Sequence, residues 1–149
     1  MKYAFTLTLV ILIVASAVAQ NDSGIFLTIK CGKKMPRETV TLSQAQICLA
    51  NSPIILSSEF VSISDLKVDN QKVSFDLGLS PKAVDKLKRL ASNLPSAEFA
   101  LVVDKEAFMV FPASKLSVNR TFRFEGLQTD MTAFVRIQEK LKPLVNAPQ

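Results

Sequence analysis

Two cysteines, one Ser-x-x-Lys sequence and one pair of neighbouring carboxylates are the residues of this chain with the types and spacing to do chemistry. Cys31 and Cys48 are its only cysteines. They are either a disulfide, which the chain-entropy argument credits with about 3 kcal/mol for a loop of this length, or two buried thiols. Ser64-Asp65-Leu66-Lys67 has the spacing of the nucleophilic serine and lysine of penicillin-binding enzymes. A chain as rich in serine and lysine as this one also produces that match by chance. Asp104 and Glu106 stand two residues apart at an expected turn, where they could act as an acid–base pair, hold a cation weakly or simply be solvated.

Much other chemistry is excluded. There is no histidine, so imidazole bases, Ser–His and Cys–His nucleophile pairs and His-ligated metals are absent. Two cysteines without histidine cannot make a structural zinc site. Only 4 glycines occur, none in a phosphate-cradling pattern, and no motif asks for a cofactor. The reading is therefore non-enzymatic, with a small secreted hydrolase-type enzyme using Asp104 and Glu106, or Ser64 and Lys67, as the alternative.

The formal net charge is +5. The positive residues gather at Lys30, Lys33, Lys34 and Arg37 and again at Lys82, Lys86 and Arg89. Such clusters could meet a polyanion or an anionic envelope surface, or form a solvated face. No aromatic-interleaved basic motif points to nucleic acid.

The N-terminus indicates where the chain goes. Lys2 is followed by an uncharged, apolar stretch that closes on Ala17-Val18-Ala19, small residues before polar Gln20-Asn21-Asp22. That is the layout of a signal peptide cut after Ala19, and the stretch is shorter than the ~20 residues of a membrane span. An uncleaved anchor is the other reading. The expectation is a periplasmic or secreted protein with one domain over residues 20–149 and no membrane span after cleavage. Asn21-Asp22-Ser23 and Asn119-Arg120-Thr121 match glycosylation acceptors, which matter only in a eukaryotic secretory host.

The elements that would position these residues follow from periodicity. Residues 25–29 read as a strand running into Cys31, and residues 32–39 as a basic, Pro-containing loop. Residues 39–49 alternate in part before a turn at Asn51-Ser52-Pro53. Short strand-like pieces follow at 54–56 and 60–63, then a turn at Asp69-Asn70-Gln71. Residues 72–79 place Val73, Phe75, Leu77 and Leu79 on one face at period two. Ser80 then caps a helix with Pro81 at its first position. Its inner stripe is Ala83, Val84, Leu87, Leu90, Ala91 and Leu94, and Asn93 and Pro95 end it. Strands at 98–103 and 107–111 form a hairpin that Pro112 stops. A strand from Thr121 ends at Gly126. A last helix runs from about Asp130 to Leu141 with Met131, Phe134, Val135, Gln138 and Leu141 inward, and Pro143 ends it. This order predicts an α+β domain, a mainly antiparallel sheet with two helices packed on one face. Phe108 and Phe111, three apart on one strand, should face opposite ways, leaving one exposed for partner contact. Arg120 and Arg123 likewise point to opposite faces and are candidate contacts.

From Val73 onward the order of residues resembles the head subdomain of the first periplasmic domain of SecD, a membrane subunit that assists protein export. The stretches that carry the resemblance are Val73-Ser74-Phe75-Asp76-Leu77-Gly78-Leu79-Ser80, the helix from Ala83 through Leu90, and Phe99-Ala100-Leu101-Val102-Val103-Asp104. Pro112-Ala113 and Arg120-Thr121-Phe122-Arg123-Phe124-Glu125-Gly126 follow, and the closing helix is similar too. The head-like part covers about residues 72–142. Where the family has Asp-Gly at the hairpin tip, this chain has Asp104-Lys105-Glu106, which makes a tight two-residue turn less natural. The resemblance implies a head-like module that contacts a protein partner, such as an exported polypeptide or the export machinery. It does not imply SecD's proton-coupled motor, which needs transmembrane helices.

Overall fold

The computed structural model describes residues 22–115 and 120–145; the expected leader lies outside them, as do Asn21 and Asn119 of the two glycosylation matches. Among these residues ten strands and two α-helices follow one another as β1 (Gly24–Ile29), β2 (Glu38–Thr39), β3 (Gln46–Leu49), β4 (Ile55–Leu56), β5 (Phe60–Ile63), β6 (Lys67–Asp69), β7 (Lys72–Leu79), α1 (Pro81–Asn93), β8 (Glu98–Val103), β9 (Glu106–Pro112), β10 (Thr121–Leu127) and α2 (Met131–Val145). The fold is α+β, and every strand pairing is antiparallel. The strands divide between a six-stranded sheet, ordered β2-β3-β1-β8-β9 with β4 also on β1, and a four-stranded sheet, ordered β10-β7-β5 with β6 also on β7.

The six-stranded sheet is curled. Beyond β2 the chain reaches across to the far edge strand, where the N–H groups of Thr41 and Leu42 donate to the carbonyls of Ala107 and Phe108 on β9 (2.8 and 3.2 Å). The strap formed by residues 40–42 thus joins the two ends of the sheet. Two hydrophobic clusters result. The main core gathers Ile25, the inward residues of β7, Phe99, Leu101 and Val103 of β8, Phe122 and Phe124 of β10, and the buried residues of both helices. A smaller cluster on the opposite face of the curled sheet holds Phe26, Ala100, Val102 and Ala107. Aromatic rings bind the main core together, with Phe111 4.5 Å from Phe122 and Phe108 5.2 Å from Phe134, centroid to centroid.

Local sequence accounts for α1 and β7. Val73, Phe75, Leu77 and Leu79 are all buried. The Ser80 hydroxyl accepts the N–H of Ala83, and Pro81 occupies the first turn, where no N–H is needed. Ala83, Val84 and Leu87 are buried as expected, whereas Leu94 is 45% exposed because it lies past the helix end. In α2 the inward residues are Phe134, Ile137, Gln138 and Leu141, and Val135 is exposed. The helix also continues through Pro143 to Val145. The missing N–H removes one bond near the helix end, and Leu144 and Val145 still pack on the core.

The hairpin between β8 and β9 corrects two expectations. Phe108 and Phe111 are both buried, at 0% and 3% exposure, so neither is a surface contact. The reason is a β-bulge: Leu101 pairs with Met109 but Val102 pairs with Ala107, leaving Phe108 as the extra residue. The extra residue resets the alternation, so side chains three apart share the core face. The tip is also a tight two-residue turn despite lacking glycine. Asp104 and Lys105 both have positive φ (49° and 66°). The N-terminal segment holds them there. The Asp104 N–H donates to the buried Ser23 hydroxyl and the Lys105 N–H to the Asp22 carbonyl (both 2.9 Å). The Lys105 ammonium pairs with the Asp22 carboxylate.

Candidate binding groove

The residues singled out for catalysis are committed elsewhere. The Ser64 hydroxyl accepts the Asp76 N–H and donates to the Asp65 carbonyl, while Lys67 pairs with the Asp76 carboxylate at 3.2 Å. Ser64 therefore ties the segment after β5 to β7 and is not paired with Lys67. Asp104 is exposed at the turn, and Glu106 turns away from it. Thr41 Oγ1 donates to Glu106 Oε1 (2.7 Å), the Arg136 guanidinium donates to the same oxygen, and Lys140 reaches Oε2 at 3.3 Å. Burial pushes the Glu106 carboxyl up. The hydrogen bonds from Thr41 and Lys140 and the charges of Arg136 and Lys140 outweigh that, holding it below the usual glutamate value. Among the described residues, no cluster of three or more His, Cys, Asp or Glu side chains could hold a metal ion.

Glu106 fastens the strap and the middle turns of α2 to the start of β9. The disulfide fixes the strap from its other side. Cys31 and Cys48 are bonded, with Cα atoms 5.2 Å apart, and Cys48 sits opposite Ile29 in the β1–β3 ladder. The closed loop contains β2 and the strap, so an anchored piece of irregular chain becomes a wall.

That wall faces an open groove of about 380 Å³. It is lined by Val40 and Leu42 of the strap, Met109 and Val110 of β9, and Glu125, Gly126 and Leu127 of β10. Leu127 is 61% exposed at the lip. Lys72 and Glu125, paired at 2.8 Å, put charge on the rim, and each stabilises the ionised form of the other: the hydrogen bond from Lys72 lowers the Glu125 carboxyl and that from Glu125 raises the Lys72 ammonium. Asp130 Oδ2 accepts the Leu127 N–H and fixes the lip where β10 turns towards α2. An apolar floor with a charged rim fits a polypeptide or another amphipathic chain better than a small ion.

The side chains of the remaining candidates lie apart from this groove. Arg123 is exposed and bound bidentately to Asp76, whose carboxyl lies below its usual value chiefly through that Arg123 hydrogen bond, with burial opposing and Lys67 reinforcing. Arg120 is exposed just ahead of β10. Lys30, Lys33, Lys34 and Arg37 are exposed on the loop after β1, and Lys82, Lys86 and Arg89 on the outer face of α1; none of these seven has a carboxylate partner among the described residues. Sequence reasoning missed Val40, Leu42, Val110 and Leu127. Only Leu127 carried a local signal, an apolar residue directly after the glycine at which β10 was expected to end. The other three become groove residues through contacts made across the chain. No helix among the described residues is long and apolar enough to cross a membrane. No family model and no curated protein matches the chain.

Proposed function

We propose that this protein is an exported, non-enzymatic binding module that holds a segment of polypeptide in the groove between β9 and β10. The observation that carries this reading is the groove itself, apolar at its floor, charged at its rim and walled by a strap fixed at both ends. The disulfide fits an oxidising compartment outside the cytoplasm. The leader of residues 1–19 supplies the export route in this reading, with cleavage after Ala19. The resemblance of residues 72–142 to the SecD head supports the same class of ligand, an exported chain or the export machinery.

A titration of residues 20–149 against a fluorescently labelled decapeptide of alternating Val and Thr tests the reading. Saturable binding is expected, weakened at least tenfold by Leu127→Asp, a change at an exposed side chain that leaves the core intact. Binding that ignores Leu127→Asp, or no binding, overturns it. A second reading, attachment to a polyanion, rests on the unpaired cations of α1. Lys82, Lys86 and Arg89 should then support a heparin affinity that falls steeply between low and physiological salt.

A further inference from the structure

The groove is bounded by two strand edges, and the hydrogen-bond phase of each ladder fixes which peptide groups face into it. Along an antiparallel pair, residues alternate between those that exchange both backbone bonds with the partner and those whose peptide groups point away. In the β7–β10 ladder the Leu79 N–H donates to the Arg120 carbonyl and the Gln128 N–H to the Gln71 carbonyl. With the observed register, Phe122, Phe124 and Gly126 are then bonded to β7, and Thr121, Arg123, Glu125 and Leu127 turn their peptide groups outward. The Leu127 N–H confirms the phase, since it is taken by Asp130 and not by β7.

On the other side, the Ala113 N–H donates to the Ala97 carbonyl. The register then bonds Phe111 and Met109 to β8 and leaves the Val110 peptide groups facing outward. Pro112 obeys the same phase, its missing N–H falling at a position that would point away from β8. The strap already occupies the neighbouring carbonyls of Ala107 and Phe108, and it stops there. Among the described residues, the outward backbone groups of Val110, Arg123 and Glu125 have no hydrogen-bond partner.

Strand edges left this way are ordinarily blunted by charged side chains lying across them. On β10 both charges are drawn back onto the outer face of the sheet, Arg123 by Asp76 and Glu125 by Lys72. The edge is open between them.

We infer that the groove takes its ligand by strand addition: an extended segment of another polypeptide lies between β9 and β10 and completes both ladders. Its backbone bonds to Glu125 and Arg123 on one side and to Val110 on the other, while its side chains meet the apolar lining of the groove. The inference rests on the proposed binding role and adds the mode. Recognition is carried by the peptide backbone, so many sequences are accepted provided they are extended and free of proline at the bonded positions.

The test compares the alternating Val/Thr decapeptide with the same peptide N-methylated at every second residue, in both phases, together with amide exchange of the full bound protein. Strand addition predicts weaker binding for both methylated phases, by at least about tenfold for the phase that faces Arg123 and Glu125. It also predicts slowed exchange at the amides of Val110, Arg123 and Glu125. Binding that is lost in Leu127→Asp but unaffected by either methylated phase, with exchange at those three amides unchanged, overturns strand addition while leaving the groove as a peptide site. Absence of any peptide binding overturns both. Slowed exchange at the same amides on raising protein concentration without peptide assigns the edge to a second copy of the chain and overturns the peptide assignment.

Discussion

The two sheets solve the problem of their edges in opposite ways. The six-stranded sheet is curled until the strap from its first edge strand bonds to its last, and a disulfide and the Glu106 cluster lock that closure. The four-stranded sheet ends on β10, seven residues long, and among the described residues nothing is bonded to the outward backbone groups of Arg123 and Glu125. One sheet is closed by the strap as far as Phe108, and the other is left short by a strand. A closed region beside an open one suits the proposed binding of a chain from outside.

The contrast can be broken most severely at the disulfide. Replacing Cys31 and Cys48 with alanine should cost about 3 kcal/mol of unfolding free energy, read from urea denaturation. Hydrogen exchange should quicken in β1, β3 and the strap and stay unchanged in β7 and β10. Uniform quickening would show that the two sheets are not separately secured.

A substitution at the open sheet should have a smaller effect. Gly126→Val brings a Cβ to 2.5 Å from the Phe134 ring, which must shift. A loss of about 2 kcal/mol is expected from overpacking, with the β10 end of the groove disturbed and the disulfide-bound loop unaffected in its amide spectrum.

Glu106→Gln removes the charge that holds strap, β9 and α2 together, and about 1 kcal/mol should be lost at neutral pH, given that the site is partly open to water. Because the Glu106 carboxyl is held below its ordinary value in the folded protein, the stabilisation is present above the pKa of the unfolded chain, about 4.3 for glutamate. It disappears as pH falls from there through the lower folded value. The difference between wild type and Glu106→Gln should accordingly shrink below about pH 4. A difference independent of pH from 7 to 3 would remove ionisation from the account.

The smallest effect should be a gain. The turn between β6 and β7 places Asn70 and Gln71 at positive φ (46° and 64°), the geometry in which Asn-Gly is favoured. Gln71→Gly should raise stability by about 0.5 kcal/mol, its relief of strain partly offset by the freedom glycine brings to the unfolded chain. The corresponding change at Lys105 should bring no such gain, because Lys105 is also bound to Asp22.

The sequence discloses those parts of the fold that are written locally. β7 shows in its period of two, α1 in Ser80, Pro81 and a stripe of apolar residues, and β8 in an apolar run of strand length. The α+β class follows from their order. The strap does not show, because residues 40–42 acquire their place only by bonding to Ala107 and Phe108, far along the chain. Nor does the groove, whose open edges depend on which of two ladder phases is chosen, a matter settled by bonds at Arg120, Gln128 and Ala113. The glycine-free hairpin is hidden from the sequence for a related reason: the strain at Asp104 and Lys105 is offset by Asp22 and Ser23, contacts absent from the turn's own residues.

The bulge at Phe108 gives β9 something like a reading frame. On the far side of it Phe111 faces the main core with Val110 towards the smaller cluster; on the near side Ala107 belongs to the smaller cluster and Glu106 meets the strap and α2. Each of these assignments depends on the count of residues, and not only on their character. Losing Phe108 alone would leave Leu101 opposite Met109 and Val102 opposite Ala107 in a regular ladder, with both halves of the strand facing as before, and would take from the core the ring that packs on Phe134. Such a deletion is tolerable in the exposed basic loop after β1, where nothing is counted. In β9 it would empty a fully buried position of the main core.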